Sequence, residues 1–244
     1  MSERWINPQA WPALGEDEVQ VWLAHLPSAR SSLDELTDVL SPDEVERAAR
    51  FRLPAHQERA LMTRGILRKL LGHHLHRSAR EIVFTHNEHG KPALPPPGRM
   101  HFNLSHSGDY AAFALTRLGA VGVDVERIRE DMPQLDEIAH RYFADSEQVQ
   151  LQSVEAGDRV RAFFTLWTRK EAFVKARGDG VCSGLEQFEV LLSTPRLTKI
   201  WGDAQAAAHW SMAEFPPVPG YTGAVVVHAP VCAVSFWNWR ATIV

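Results

Sequence analysis

The chain has 244 residues, enough for one large domain or two small ones around a buried core. Hydrophobic residues make up 45% and charged residues 23%, an ordinary globular balance, and a net charge of -4 argues against a general nucleic-acid binder. Two cysteines, Cys182 and Cys232, make no disulfide framework, and neither an N-terminal apolar leader nor a membrane-length apolar run occurs; the expectation is a soluble, cytoplasmic protein with no membrane partner.

Residues 19–24 predict a strand. Ser41-Pro42-Asp43-Glu44 reads as a capping box with proline at the first helical position, so a helix starts there and runs toward Arg52. Pro54 breaks it, and a second helix is expected over 55–72, ending at Gly72. Residues 81–85 read as a strand, followed by a turn at 87–92 and a loop at Pro95-Pro96-Pro97. Strands are predicted at 101–104, 110–116 and 121–126. Helices over 134–143, 146–153 and 158–177 come next, then strands at 187–192, 208–214, 222–228 and 231–237. RALMT at 59–63 and RAFFT at 161–165 open the main helix of each half, an echo that suggests duplication about Leu118-Gly119-Ala120.

Three segments carry chemistry. In Gly122-Val123-Asp124-Val125-Glu126 the strand alternation puts both acids on one face, roughly 7 Å apart, where a hard divalent cation would relieve their repulsion. By itself this also fits a half-solvated strand with two surface acids. In the helix around Trp167-Thr168-Arg169-Lys170-Glu171, Phe163, Trp167 and Val174 form an apolar stripe, beside which Thr168, Glu171 and Lys175 share a polar face. Glu171 and Lys175 also suit a plain surface pair. Lys170 falls within the apolar stripe, so it either snorkels or reaches a buried carboxylate or phosphate. Asn103-Leu104-Ser105-His106-Ser107-Gly108 suits a phosphate cradle, although Ser/Gly turns are common. His73, His74 and His76 crowd a helix end without zinc-site spacing, and Gly178 and Gly180 read as terminators of the long helix. No GxxxxGK[ST] or GxSxG motif occurs.

Taken in order, NLSHSG, GVDVE and WTRKEAFVK resemble the Sfp-type 4'-phosphopantetheinyl transferases, whose hallmarks are a G-[VI]-D-x-E strand and a W-x-x-K-E-[AS]-x-x-K helix. The resemblance spans residues 41 to 192, including HGKP at 89–92. It implies an α/β (α+β), pseudo-twofold monomer. Each half, 1–118 and 119–244, would pack a helix on a small, mostly antiparallel sheet, with coenzyme A between the halves. The reaction implied is attack by a serine of an apo acyl or peptidyl carrier protein on the β-phosphorus of coenzyme A, releasing adenosine 3',5'-bisphosphate. Asp124, Glu126 and Glu171 match ligands of magnesium, with manganese an alternative. Lys175, Ser105 and His106 match phosphate contacts, and Lys91 matches a nucleotide-site lysine. Arg47 and Arg59 match residues that grip the 3'-phosphate. Ala60 stands where some members have threonine. Glu171 is the expected general base and Glu147 its rival. Arg127, Arg129, Arg141 and Phe143 are the expected carrier-docking surface. Two other readings stand beside this one. A metal-dependent nuclease usually pairs its acid with E-x-K on one strand, but Arg127 and Ile128 follow Glu126 here. A non-catalytic coenzyme A or carrier-binding module would not need all three acids and Lys175.

Overall fold

The computed structural model describes residues 5–178, 180 and 184–241. Twelve strands and eight α-helices follow one another along these residues. β1 (Trp5–Ile6) and β2 (Glu18–His25) lead into the short helices α1 (Leu26–Ala29) and α2 (Leu33–Thr37). Then come α3 (Pro42–Ala49), α4 (Pro54–Leu75), β3 (Thr85–His86), β4 (Pro92–Ala93), β5 (His101–Ser107), β6 (Tyr110–Thr116) and β7 (Val121–Arg127). The remainder is α5 (Leu135–Tyr142), α6 (Asp145–Gln152), α7 (Arg159–Arg177), β8 (Phe188–Val190), β9 (Leu197–Ile200), α8 (Ala204–Ala207), β10 (Ser211–Phe215), β11 (Tyr221–Val227) and β12 (Ala233–Asn238).

Two sheets carry the fold. The first has the order β1-β12-β2-β6-β5, and the second, fully antiparallel, has the order β10-β11-β7. The alternation of β2 explains how they stack. Val19, Val21 and Leu23 point into a core shared with Val121, Val123, Val125 and Val225 of the second sheet. Trp22 and Ala24 face the other way, onto Ile66, Leu67, Leu70 and Leu71 of α4. On the far side of the second sheet, Ala224 and Val226 meet Phe163, Ala172 and Phe173 of α7. The layers therefore run helix, sheet, sheet, helix, an α+β arrangement of two similar halves. With both faces covered, β2 and β11 are buried almost throughout. β12, from beyond Leu118-Gly119-Ala120, returns to the first sheet and lies parallel to β1 and β2.

Most predicted elements form, with two main differences. The second helix runs past Gly72 to Leu75 and stops at His76, which takes a left-handed φ of 53°. Residues 82–84 are not strand, because the Ile82 and Ala79 carbonyls accept bonds from the buried Arg68 guanidinium instead of a ladder. Ser41 does start α3, with Glu44 reaching back to the Ser41 N–H at 3.0 Å. No helix among the described residues is long and apolar enough to cross a membrane.

Candidate active site

β7 is the edge strand of its sheet, and its open side faces β5, the edge strand of the other. Side chains of β5 bridge the gap. Asn103 Oδ1 accepts the Val123 N–H at 2.9 Å, and Ser107 Oγ accepts the Arg127 N–H at 3.1 Å. Ser107 also donates to Glu126 Oε2 at 2.6 Å, and Ser105 donates to Asp124 Oδ1 at 2.8 Å. The side of β7 that carries both acids also touches α7. Gly122 lets them meet, since a Cβ there would fall 2.0 Å from the Ala172 carbonyl oxygen. That approach brings Lys175 Nζ to 2.6 Å from Asp124 Oδ1 and 2.9 Å from Ser105 Oγ.

The result is three acids around one lysine in a mostly buried seam. Asp124 and Glu171 are 2% and 5% exposed. Burial, then the Asp124 charge, pushes the Glu171 carboxyl up to about 7, against the pull of Lys175. Burial and Asp124 raise Glu126 as well, with Ser107 and Lys175 opposing. Asp124 Oδ2 and Glu171 Oε1 are buried without a hydrogen-bond partner. No group of three His, Cys, Asp or Glu side chains among the described residues is gathered into a formed metal site.

Beside the seam lies a cleft of about 350 Å³, lined by Arg47, Arg50, Arg64, Thr63, Leu104 and His106, among others. Arg47 pairs with Asp43 at the surface. Desolvation, then the charges of Arg59 and Lys175, lower the His106 imidazole from its usual range. Arg59, His106 and Lys175 are thus close enough to feel one another. The cleft and the seam meet at β5, where Ser105 serves one and His106 the other.

Comparison with known proteins decides what this arrangement belongs to. Residues 120–227 match the model of the 4'-phosphopantetheinyl transferase superfamily, and residues 26–117 match an N-terminal 4'-phosphopantetheinyl transferase domain. Similarity to the 4'-phosphopantetheinyl transferase HetI of Nostoc sp. is 34% identity over 242 residues, covering 98% of this chain and 100% of that protein. A putative 4'-phosphopantetheinyl transferase of Synechocystis sp. is 35% identical, over 81% of this chain and 79% of its own length. The 4'-phosphopantetheinyl transferase Sfp of Bacillus subtilis is 29% identical, over 68% of this chain and 72% of its own length. The chain belongs to the 4'-phosphopantetheinyl transferase superfamily.

In this transferase most of the expected site residues converge. Asp124, Glu126, Glu171, Lys175 and Ser105 share the seam, while Arg47 and His106 line the cleft, with Arg59 near His106. Three expectations need correction. Glu147 is fully buried and pairs with Lys170, its oxygens 2.7 and 2.6 Å from Nζ, while accepting the Val190 and Ala144 N–H groups. Every oxygen is committed and none meets solvent, so Glu147 is not a base for an incoming serine. Lys170 therefore reaches a carboxylate, as its place in the apolar stripe suggested. Lys91 Nζ donates to the carbonyls of Val121, Lys175 and Ala176 and does not line the arginine-rich cleft. Phe143 is 2% exposed and stacks on Phe163, so it is core, not docking surface.

Sequence reasoning placed Asn103 and Ser107 only within a phosphate cradle, whereas both bridge β5 to β7. Their signal is the period of two shared with Ser105, which puts all three side chains on the β5 side that meets β7.

Proposed function

We propose that the transferase moves the 4'-phosphopantetheine arm of coenzyme A onto a serine of an apo acyl or peptidyl carrier protein. The observation that carries this reading is the pair of orphaned buried oxygens, Asp124 Oδ2 and Glu171 Oε1, beside an arginine-lined cleft. Buried carboxylate oxygens with no partner are rare, and they are the donors a hard divalent cation takes. Asp124, Glu126 and Glu171 would hold magnesium, or manganese in its place. A cation bound there neutralises charge on the pyrophosphate.

The chain's own residues supply the rest. Arg47, Arg59 and His106 hold the phosphates at the cleft, and Ser105 with Lys175 orients them at the seam. The serine oxygen bonds to the β-phosphorus as the bond to adenosine 3',5'-bisphosphate breaks. The serine proton passes to Glu171, the seam acid one helical turn before Lys175 on α7. Lys175 stabilises the negative charge that shifts onto the leaving phosphate oxygens. The working form is a cytoplasmic monomer with no nucleic-acid or membrane partner.

The test mixes protein, coenzyme A, magnesium and an apo-carrier. The carrier should gain ~340 Da, the mass of the transferred group in this phosphoryl transfer. A complex without mass gain would point instead to a binding module.

Arg127, at the end of β7, and Arg141, in the last turn of α5, are both exposed. They suit docking of an acidic carrier surface. Reversing both to Glu should raise the carrier KM about tenfold or more, with the coenzyme A KM unchanged. An unchanged carrier KM would place docking elsewhere.

A further inference from the structure

The turn at residues 87–91 belongs to the first half, yet its side chains serve the second. Asn87 Oδ1 accepts the His89 and Lys91 N–H groups and so folds the turn on itself. Its Nδ2 then donates to the Gly178 carbonyl at 2.8 Å. Lys91 Nζ lies 3.1 Å from the Val121 carbonyl, 2.5 Å from that of Lys175 and 3.0 Å from that of Ala176.

Those acceptors are not a random set. The last carbonyls of a helix lack internal partners and attract a cation. In α7 the Val174 carbonyl is taken by the Gly178 N–H, at a left-handed glycine with φ of 80°. The next two carbonyls go to Lys91 and the Gly178 carbonyl to Asn87. The Val121 carbonyl opens β7, three residues before Asp124. One ammonium thus ties the end of the helix that carries Lys175 to the start of the strand that carries Asp124. Three donors meet three acceptors, and none is left over for a ligand.

We infer that Lys91 is a positioning residue, stapling the C-terminal end of α7 to β7 across the two halves so that Lys175 meets Asp124, and that it is not a nucleotide contact. The inference rests on the proposed transfer reaction, since it explains how the lysine of that site is held. Loss of Nζ frees α7 and β7 to shift against each other. The arginine-lined cleft is untouched by that change, so coenzyme A binding should persist while the chemical step suffers.

The experiment measures steady-state transfer and, separately, calorimetric coenzyme A affinity, for wild type, Lys91→Met and Asn87→Ala. In Lys91→Met, kcat should fall about tenfold or more while the coenzyme A KM and Kd stay within about twofold. Asn87→Ala keeps Lys91 Nζ but removes the Gly178 cap and loosens the turn that carries Lys91, so its kcat should fall about two- to fivefold at constant Kd. A merely structural cap would lower the melting temperature and leave kcat alone, which overturns the inference. A coenzyme A Kd weakened about tenfold at unchanged kcat overturns it too, in favour of direct contact. Should Lys91→Met not fold, Asn87→Ala decides, and an unchanged kcat there counts against the staple. Wild type that modifies no apo-carrier would fail the transfer reading itself, and the affinity arm would still judge Lys91.

Discussion

Helix α7 carries two lysine–carboxylate sites, and they are opposites. Lys170 and Glu147 are both fully buried, and their bonds saturate. The ammonium meets two carboxylate oxygens and the Phe188 carbonyl, over the face of the Phe188 ring at 4.3 Å. Desolvation pushes the Glu147 carboxyl up and the Lys170 ammonium down, and each charge pulls the other back. Lys175, by contrast, faces three acids and leaves two of their oxygens without partners. Its side chain keeps 23% exposure where its neighbour in the pair, Asp124, keeps 3%. A saturated buried pair serves architecture, tying α6 and β8 to α7. An unsaturated cluster at an open seam is held away from its own stability optimum, as a site awaiting ligands must be.

The largest expected effect breaks the saturated pair. Lys170→Met leaves Glu147 charged and unpaired in the core, which should cost about 3–5 kcal/mol of unfolding free energy. Pairing it with Glu147→Leu should recover much of that loss, because the orphaned charge leaves as well. Urea titrations of both variants read the difference. Activity per folded molecule should stay within about threefold in the double variant. A double variant that folds well but has lost all activity would give Glu147 back its catalytic candidacy.

The unsaturated cluster should respond the other way round. Asp124→Asn removes one of three mutually repelling acids, so stability should hold within about 1 kcal/mol or rise. Transfer should nevertheless fall about a hundred- to a thousandfold, as one charged partner of the phosphates and cation is gone. Manganese affinity, measured by titration calorimetry without coenzyme A, should weaken in parallel. If Asp124→Asn instead unfolded like Lys170→Met, the two sites would not differ in kind.

The sequence reveals the two sites unequally, for physical reasons. Asp124 and Glu126 are legible because strand alternation places them together, and Glu171 with Lys175 because helical spacing does. Lys170 stands out as a charge in an apolar stripe, but its partner lies 23 residues away, beyond any periodic signal. Glu147 therefore passes for a candidate base until the packing of α6 against α7 is known. The fold follows the same rule. Long helices and the apolar strands of the stacked sheets declare themselves, while the return of β12 to the first sheet does not. The seam between β5 and β7 is hidden for a different reason. It is made by side chains standing in for a neighbouring strand, and no backbone ladder or hydrophobic pattern marks it.

The smallest effect is the most discriminating, because it reads Glu171 with no substrate present. Its carboxyl is raised from 4.5 to about 7 by burial first and Asp124 second. Between those values the folded protein keeps a proton that the unfolded chain releases. Glu171 therefore adds stability below about pH 4.5, and that contribution is lost as pH rises through 7, by up to about 3 kcal/mol. Glu126 titrates in the same direction and adds to the trend. In EDTA, the wild type should lose more stability between pH 5 and pH 8 than Glu171→Gln, which has no proton to give up. Lys170 and Glu147 stay out of this difference, being present in both proteins. Magnesium at pH 8 should restore the wild type, since it favours the charged carboxylates, and should restore the Gln variant less. Parallel pH curves for the two proteins would mean that Glu171 is not strained by its neighbours, and the contrast between the two faces of α7 would lose its electrostatic basis.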